Sequence, residues 1–391
     1  MTPQLEQLLR SILSQPTAPF RERHVIRVVS EALSAAKVPF FSDPVGNIIV
    51  GVRSKAEYLK CIQTNSSEPL RIFVAHMDHP GFHGVSWQSQ DLLSVKWHGG
   101  SPTQHLTGAK VWLASELGWV GTGIMTAGKL IASGRAIDTA TIRVDAQIIS
   151  QGHNPKNLYG GFSFRAPVWE EAGILYTKAA DDLVGTFAIV CLAIELWKKK
   201  PRKAIPFLGI LTRAEEVGFI GAVGHFELGW LNKARRPFFM VSLETSRTLP
   251  GAEIGKGPVI RLGDRTTVFD SGALRVFTTI ATQEMAGKFQ RRIMDGGTCE
   301  ATAATAYGYS SIGISVPLGN YHNQGFEGGP DCNAPMGPAP EFVHRDDIFG
   351  LLELCRLLLK SKLPWSEPWK DFVLGMKKEF RAARTLLSSG P

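Results

Sequence analysis

The spacing of apolar residues changes along this chain, and the changes divide it. Over 20–36 they recur at helical intervals, with Phe20, Val25, Val28, Val29, Ala32 and Leu33 on one face. Pro19 stands just before, where a helix start tolerates proline. A hairpin follows, with arms at 39–41 and 47–50 joined through Asp43-Pro44-Val45-Gly46. Residues 70–76 are a short apolar run bounded by polar residues, the pattern of a strand buried on both faces and hence of a parallel sheet. Between 83 and 171 the texture differs. Short alternating runs at 92–97, 110–114, 119–125 and 140–149 are separated by Gly- and Ser-containing turns, which predicts a small β-rich barrel. Strands and helices then alternate: helix 181–198, strand 205–211, helix 216–228, strand 238–243, helices 283–292 and 298–308, strand 312–317 and helix 346–360. The expected fold is α/β, a mostly parallel central sheet with helices on both faces and an inserted small β-barrel domain. The α/β domain takes 1–82 and 172–391, and the barrel 83–171.

A chain of 391 residues can bury a large core, and two domains are a fair expectation. Hydrophobic content of 44% and charged content of 20% are ordinary for a soluble enzyme. The net charge of +8 changes little, because the cations are scattered apart from Lys198-Lys199-Lys200-Pro201-Arg202-Lys203 and the C-terminal tail. No run is long enough for a nucleic-acid partner. Five cysteines, with no CxxC pair, fit a reduced cytoplasmic setting. The first residues lack the basic and apolar regions of a signal peptide, and no apolar stretch reaches ~18 residues, so no membrane partner is expected.

Five segments offer hard metal ligands at the ends of apolar runs: Val74-Ala75-His76-Met77-Asp78, Ala179-Ala180-Asp181-Asp182, Thr212-Arg213-Ala214-Glu215-Glu216, Ser242-Leu243-Glu244-Thr245 and Asn320-Tyr321-His322. Taken singly, each has a plainer reading. His-x-Asp is commonly a surface pair, Asp181-Asp182 suits a helix N-cap, and paired glutamates often open helices. Together they fall at strand or helix ends, and ligands of open α/β sheets bind outside the carboxyl ends of the strands. Two His and three carboxylates can hold two divalent ions about 3.5–4 Å apart, with one carboxylate bridging and a further Glu free as base. Other features are weak. Gly218, Gly221 and Gly224 suit close helix packing, Gly121-x-Gly123 lacks a strand–turn–helix context, and no Gly-x-Ser-x-Gly elbow occurs. His98, His105 and His153 read as surface residues of the barrel.

With these segments, and with Glu215-Glu216-Val217-Gly218, Gly296-Gly297-Thr298 and the stretch 314–322, the chain resembles the M42 family of metallo-aminopeptidases, from Phe20 to about Lys360. About 100 residues separate His76 from Asp181, which resembles the M42 barrel insertion; in M28 enzymes these segments lie closer, in M20 enzymes the extra domain comes later, and M18 enzymes are longer. The resemblance implies a zinc-peptidase-like fold, two divalent metal ions per chain (zinc, or cobalt), and short peptides as substrates. It implies that His76 binds one metal with Asp78 behind its other nitrogen, that Asp181 bridges, that Glu216 binds metal, and that His322 completes the second metal. Glu244 takes a ligand place where the family has Asp, and Glu215 is the general base. A related amide hydrolase, such as a deacylase, and a silent peptide-binding scaffold remain the alternatives.

Departures from the family pattern are Leu183 for Arg, His79 for an acidic residue and Cys299 for Asp, and they bear on substrate preference. The resemblance also implies a homo-oligomer, a dimer or larger and up to a dodecamer, with the barrel at substrate access or at subunit contacts. Trp87, Trp97, Trp112, Trp119 and Phe162 exceed what a barrel of ~90 residues can enclose, so a surplus should face a partner. A basic helix over 370–387, with Phe372, Val373, Met376, Phe380 and Leu386 as its apolar positions, should dock on its own or a neighbouring subunit.

Overall fold

The structure, a computed structural model, describes residues 2–199 and 205–388. Most of the basic run at 198–203 lies outside them. An eight-stranded sheet runs in the order Phe40–Ser42, Ile48–Val50, Phe207–Thr212, Leu70–His76, Phe238–Arg247, Ser311–Leu318, Val259–Asp264, Gln290–Met294. The middle four strands are mutually parallel. The inner hairpin strand Ile48–Val50 is antiparallel to them on one side, and so is Val259–Asp264 on the other.

Leu70–His76 is buried at every position. Its side chains alternate between two cores, Phe73 and Ala75 toward one, Leu70, Ile72 and Val74 toward the other. The first core is closed by helices Pro3–Leu13, Arg23–Ala35, Leu183–Lys198, Ser271–Met285 and Arg345–Leu358, the second by Lys55–Gln63, Ile220–Glu227 and Glu300–Ala306. Helix Leu183–Lys198 is buried from Leu183 through Ala193, which explains its nearly uninterrupted apolar sequence.

Several elements differ from the sequence expectation. The helix expected from Phe20 begins at Arg23; Phe20 lies before it with φ 68° and is 46% exposed. The helix expected at 216–228 is a 3-10 turn, Glu215–Val217, then a break at Gly218 and Phe219, then Ile220–Glu227. Residues expected as a helix over 283–292 divide between the end of Ser271–Met285 and the edge strand Gln290–Met294. That strand is polar because it has a neighbour on one side only, so it lacks an apolar run. The run at 140–149 stops as a strand at Val144 and turns into helix Ala146–Ser150.

A closed six-stranded barrel is formed by Gly81–Trp87, Leu92–His98, Ile137–Val144, Gly118–Leu130, Lys110–Ser115 and Tyr159–Phe162. Trp97 and Phe162 fill its interior with Phe82, Val95, Leu113 and Ile142. Trp112 instead packs with Ala18, Ala114 and Tyr159, while Trp119 is 48% exposed. Val168–Glu171, Ile174–Thr177 and Glu341–His344 form a separate antiparallel three-stranded sheet. The basic tail is helical over Lys370–Ser388, but Phe372, Met376 and Phe380 are exposed, so its apolar stripe does not lie on this chain's core. Among the described residues no helix is long and apolar enough to cross a membrane.

Barrel closure depends on a close crossing at Gly160, where a Cβ would meet the Trp112 carbonyl oxygen at 2.0 Å and the Phe82 ring at 2.4 Å. Gly160→Ala is expected to cost at least ~1–3 kcal/mol, as overpacking does. Thermal unfolding checks this, and an unchanged melting temperature would contradict it.

Candidate active site

Four adjacent strands deliver candidate ligands to one rim. His76 closes Leu70–His76, with Asp78 two residues on. Glu215 and Glu216 form the turn after Phe207–Thr212, and Glu244 lies within Phe238–Arg247. His322 sits in the turn Tyr321–Asn323 after Ser311–Leu318, with φ 56°. Asp181 precedes helix Leu183–Lys198, and Asp182 is that helix's N-cap, accepting from the Gly185 N–H at 3.1 Å. The plainer reading of the Asp pair therefore holds for Asp182.

The structure brings the sequence-predicted residues into one pocket. Asp181 Oδ1 is 3.6 Å from His76 Nε2, and its Oδ2 is 3.7 Å from His322 Nε2. His322 Nε2 is also 3.1 Å from Glu216 Oε2. Two sets of possible ligand atoms lie mutually within 4.8 Å: His76, Asp181 and Glu216, and His76, Glu215 and Glu244. Glu215 Oε2 is 3.8 Å from His76 Nε2, as near as the candidate ligands.

Backbone amides hold these segments. The Asp78 carboxylate accepts from the N–H of Glu215 at 3.0 Å and of Glu216 at 3.2 Å. Its Oδ1 stands 3.6 Å from His76 Nδ1, whose hydrogen bond goes to the Asp78 carbonyl at 3.1 Å. Glu341, which sequence reasoning missed, accepts from the N–H of Ala180 (2.7 Å), Asp181 (3.1 Å) and His322 (2.9 Å). A lone acid after Pro338-Ala339-Pro340 carries no pattern that marks it. Glu300, also missed, is fully buried and bonded to the Thr212 hydroxyl; in the sequence it reads as an ordinary acid in a helix's first turn.

The departures from the family pattern are all buried. His79 bonds the Asp181 carbonyl at 2.8 Å and faces Asn323 Oδ1 at 3.2 Å. Leu183 lies in the first core. Cys299 N-caps Glu300–Ala306, and burial pushes its thiol up to about 12.

So many acids in so dry a place distort one another. Burial, followed by the nearby Asp181 charge, lifts Glu244 to about 8 and Glu341 to about 8. Burial takes Glu300 to about 7 and raises Glu215 well above the usual carboxylate range, with His76 opposing. His322 would be lowered by burial, but Glu216 and Asp181 carry it to about 9. Asp181 Oδ1, Glu216 Oε1 and Glu244 Oε1 are buried without a hydrogen bond. Buried polar atoms without partners are rare, and these belong to the residue types that bind zinc. The donor set therefore fits divalent metal.

Beside the ligands lies a narrow cleft lined by Asp181, Glu244, Thr245, Arg247, Arg261 and Thr298 among others. Arg261 donates to Ser246 Oγ at 3.2 Å, and Arg247 stacks 3.7 Å from the Phe326 ring centre. The Nε of each is buried without a hydrogen-bond partner. The barrel reaches this region too: a Cβ on Gly100 would lie 1.9 Å from His322 Nδ1.

A parallel sheet with a His- and carboxylate-rich rim and an inserted barrel defines a metal-dependent peptide-bond hydrolase. A sequence model of the M42 glutamyl aminopeptidases matches residues 59–325, and the chain belongs to that family. Similar folds are a TET aminopeptidase from a marine-sediment Thaumarchaeota archaeon (TM-score 0.71, 18% identity, 94% of this chain and 99% of that one) and an aminopeptidase from Desulfurococcus kamchatkensis (0.70, 18%, 93% and 96%). The Pyrococcus horikoshii TET1 peptidase is also similar (0.69, 19%, 91% and 99%). No curated protein matches the chain in sequence.

The perturbed groups set a pH dependence for metal-free protein. Folded Glu244, Glu341 and Glu300 keep protons that the unfolded chain releases near 4.5, so their stabilisation is complete below that value and is lost as pH rises to 7–8. His322 acts in the same direction between 6.5 and about 9. Lys178, lowered by burial to about 7, opposes them at higher pH. The melting temperature of metal-free protein is expected to fall from about pH 6 to 8, and the rise on adding Zn²⁺ to be larger at pH 8. A metal-free melting temperature that climbs across this interval would contradict the charge assignment.

Proposed function

We propose that this chain is a two-metal aminopeptidase that removes acidic N-terminal residues from short peptides. The observation that carries the reading is the placement of Asp181, one carboxylate oxygen toward His76 and the other toward His322 at nearly equal distances. That is the arrangement a bridging ligand requires. His76 and Glu244 would complete one metal, Glu216 and His322 the other. When bound, the metals supply Lewis acidity that polarises the scissile carbonyl and acidifies a water. Glu215 accepts the water's proton at a carboxylate oxygen and passes it to the leaving amine nitrogen. Its burial, which makes it a stronger base than an exposed carboxylate, supports the role.

The family name and the cleft together support an acidic first residue. Arg247 and Arg261 line the cleft, and neither has a carboxylate partner within 4.0 Å among the described residues. An unpaired guanidinium fork is suited to a substrate carboxylate. The TET1 peptidase of Pyrococcus horikoshii assembles into a tetrahedron or a large octahedral shell. The barrel here exposes Trp119 and Leu117, a surface suited to a homo-oligomer. The five cysteines of the chain, all in the α/β part and none in a disulfide, fit a reduced cytoplasmic setting.

Two outcomes test this reading. Glu215→Gln should retain both metals and the fold while losing ~10²–10⁴-fold in kcat, because a carboxamide cannot take the proton. Near wild-type turnover would remove Glu215 from the role. Peptides beginning with Glu or Asp should be cleaved at least ~10-fold more efficiently than those beginning with Leu, and Arg247→Ala should narrow that ratio. Faster release from N-acylated than from free peptides would favour a deacylase instead.

A further inference from the structure

We infer that Glu22 is a positioning residue for Glu215, which rests on the reading of Glu215 as the base. Glu22 lies outside the family-matched stretch 59–325, at the start of helix Arg23–Ala35, and is fully buried. Its Oε1 accepts from the N–H of Ala214 at 3.0 Å and of Phe20 at 2.8 Å. Its Oε2 pairs with Arg213 Nε at 2.8 Å. Asp78 takes the next two amides, those of Glu215 and Glu216. Three consecutive N–H groups, at 214, 215 and 216, are thus fixed by two carboxylates from different parts of the chain.

The turn needs that hold. Ala214 sits in the left-handed region (φ 51°, ψ 43°), which costs a residue with a Cβ ~1–3 kcal/mol and persists only where the surroundings enforce it. Arg213 has little room to move: a Cβ on Gly46 would meet its Nη1 at 2.8 Å, and one on Gly221 its backbone N and O at 2.5 Å. Glu22 is anchored from the far side as well. Arg21 and Arg23 reach Glu116 of the barrel at 3.3 and 3.4 Å, and His24 Nε2 bonds the Ser115 carbonyl at 2.8 Å. Loss of the Glu22 carboxylate frees the Ala214 amide and leaves the Arg213 charge without its partner, so the Glu215 carboxylate loses its fixed approach to the site.

The test compares metal-loaded wild type, Glu22→Ala and Glu22→Gln for kcat, KM, bound metal and melting temperature. Glutamine keeps an acceptor oxygen for the Ala214 amide but loses the charge pair. Glu22→Ala is expected to lower kcat ~10²-fold, with KM within about twofold and metal content unchanged, as a misplaced catalytic group does. Glu22→Gln should recover part of the loss, remaining about 10-fold below wild type. Wild-type kcat in folded Glu22→Ala, or a loss that only tracks missing metal or unfolded protein, would overturn the inference. Should Glu22→Ala not fold, unchanged kcat in Glu22→Gln would overturn it. Glu215→Gln run alongside separates the two ideas. If it stays active, the base assignment has failed; if it is dead while Glu22→Ala is normal, only the clamp has failed.

Discussion

Mutual repulsion among buried carboxylates is the constraint around which this molecule is arranged. Asp181, Asp182, Glu215, Glu244 and Glu300 share one dry pocket with His76. Two like charges about 4 Å apart at an effective dielectric near 20 repel by ~4 kcal/mol. Without metal the cluster takes up protons, as the raised Glu244 and Glu300 show, but it does not spread apart. It stays together because rigid backbone is pinned on every side. Strand register fixes His76 opposite Thr212, and pairing of Thr177 with Glu341 brings the Glu341 carboxylate beneath Ala180 and Asp181. Ala214 and His322 take left-handed backbone conformations in the turns that follow two of these strands. Local strain and charge repulsion are therefore concentrated where cations would relieve the latter.

Much of this was legible in the sequence, for physical reasons. Strands buried on both faces read as apolar runs, so the middle of the sheet stood out, and the ligand segments stood out because each terminates such a run. The helix Leu183–Lys198 was as clear, being apolar nearly all round. Elements at the periphery were not legible. Gln290–Met294 is an edge strand whose alternating exposure resembles a helix surface, and Val259–Asp264 lies beside it without a distinctive pattern. Glu22, Glu300 and Glu341 escaped for another reason. Each acts through hydrogen bonds to amides or a hydroxyl distant in sequence, and a single acid leaves no periodic trace. The tryptophans were only half readable: composition indicated a surplus, but which ring fills the barrel and which faces out depends on strand closure.

Between the barrel and the α/β body lies more than a hinge. Trp112 packs against Ala18 and Tyr159, with the Lys178 ammonium 5.3 Å from the Trp112 ring centre. His83 Nε2 bonds the Pro19 carbonyl at 2.8 Å. Polar and aromatic contacts of this kind tie both domains to residues 15–24, so the N-terminal segment acts as a shared strut.

The contact between Gly100 and His322 links the barrel to the site. A side chain of any size at position 100 would collide with the imidazole, at 1.9 Å from a first carbon to its ring nitrogen. The barrel therefore forms one wall of the pocket that holds His322. Exchange of this insertion would open one flank of the imidazole, so a change in the barrel's inner loop reaches the site directly. A change on the barrel's outer surface leaves that wall untouched, whereas any side chain at position 100 meets the imidazole.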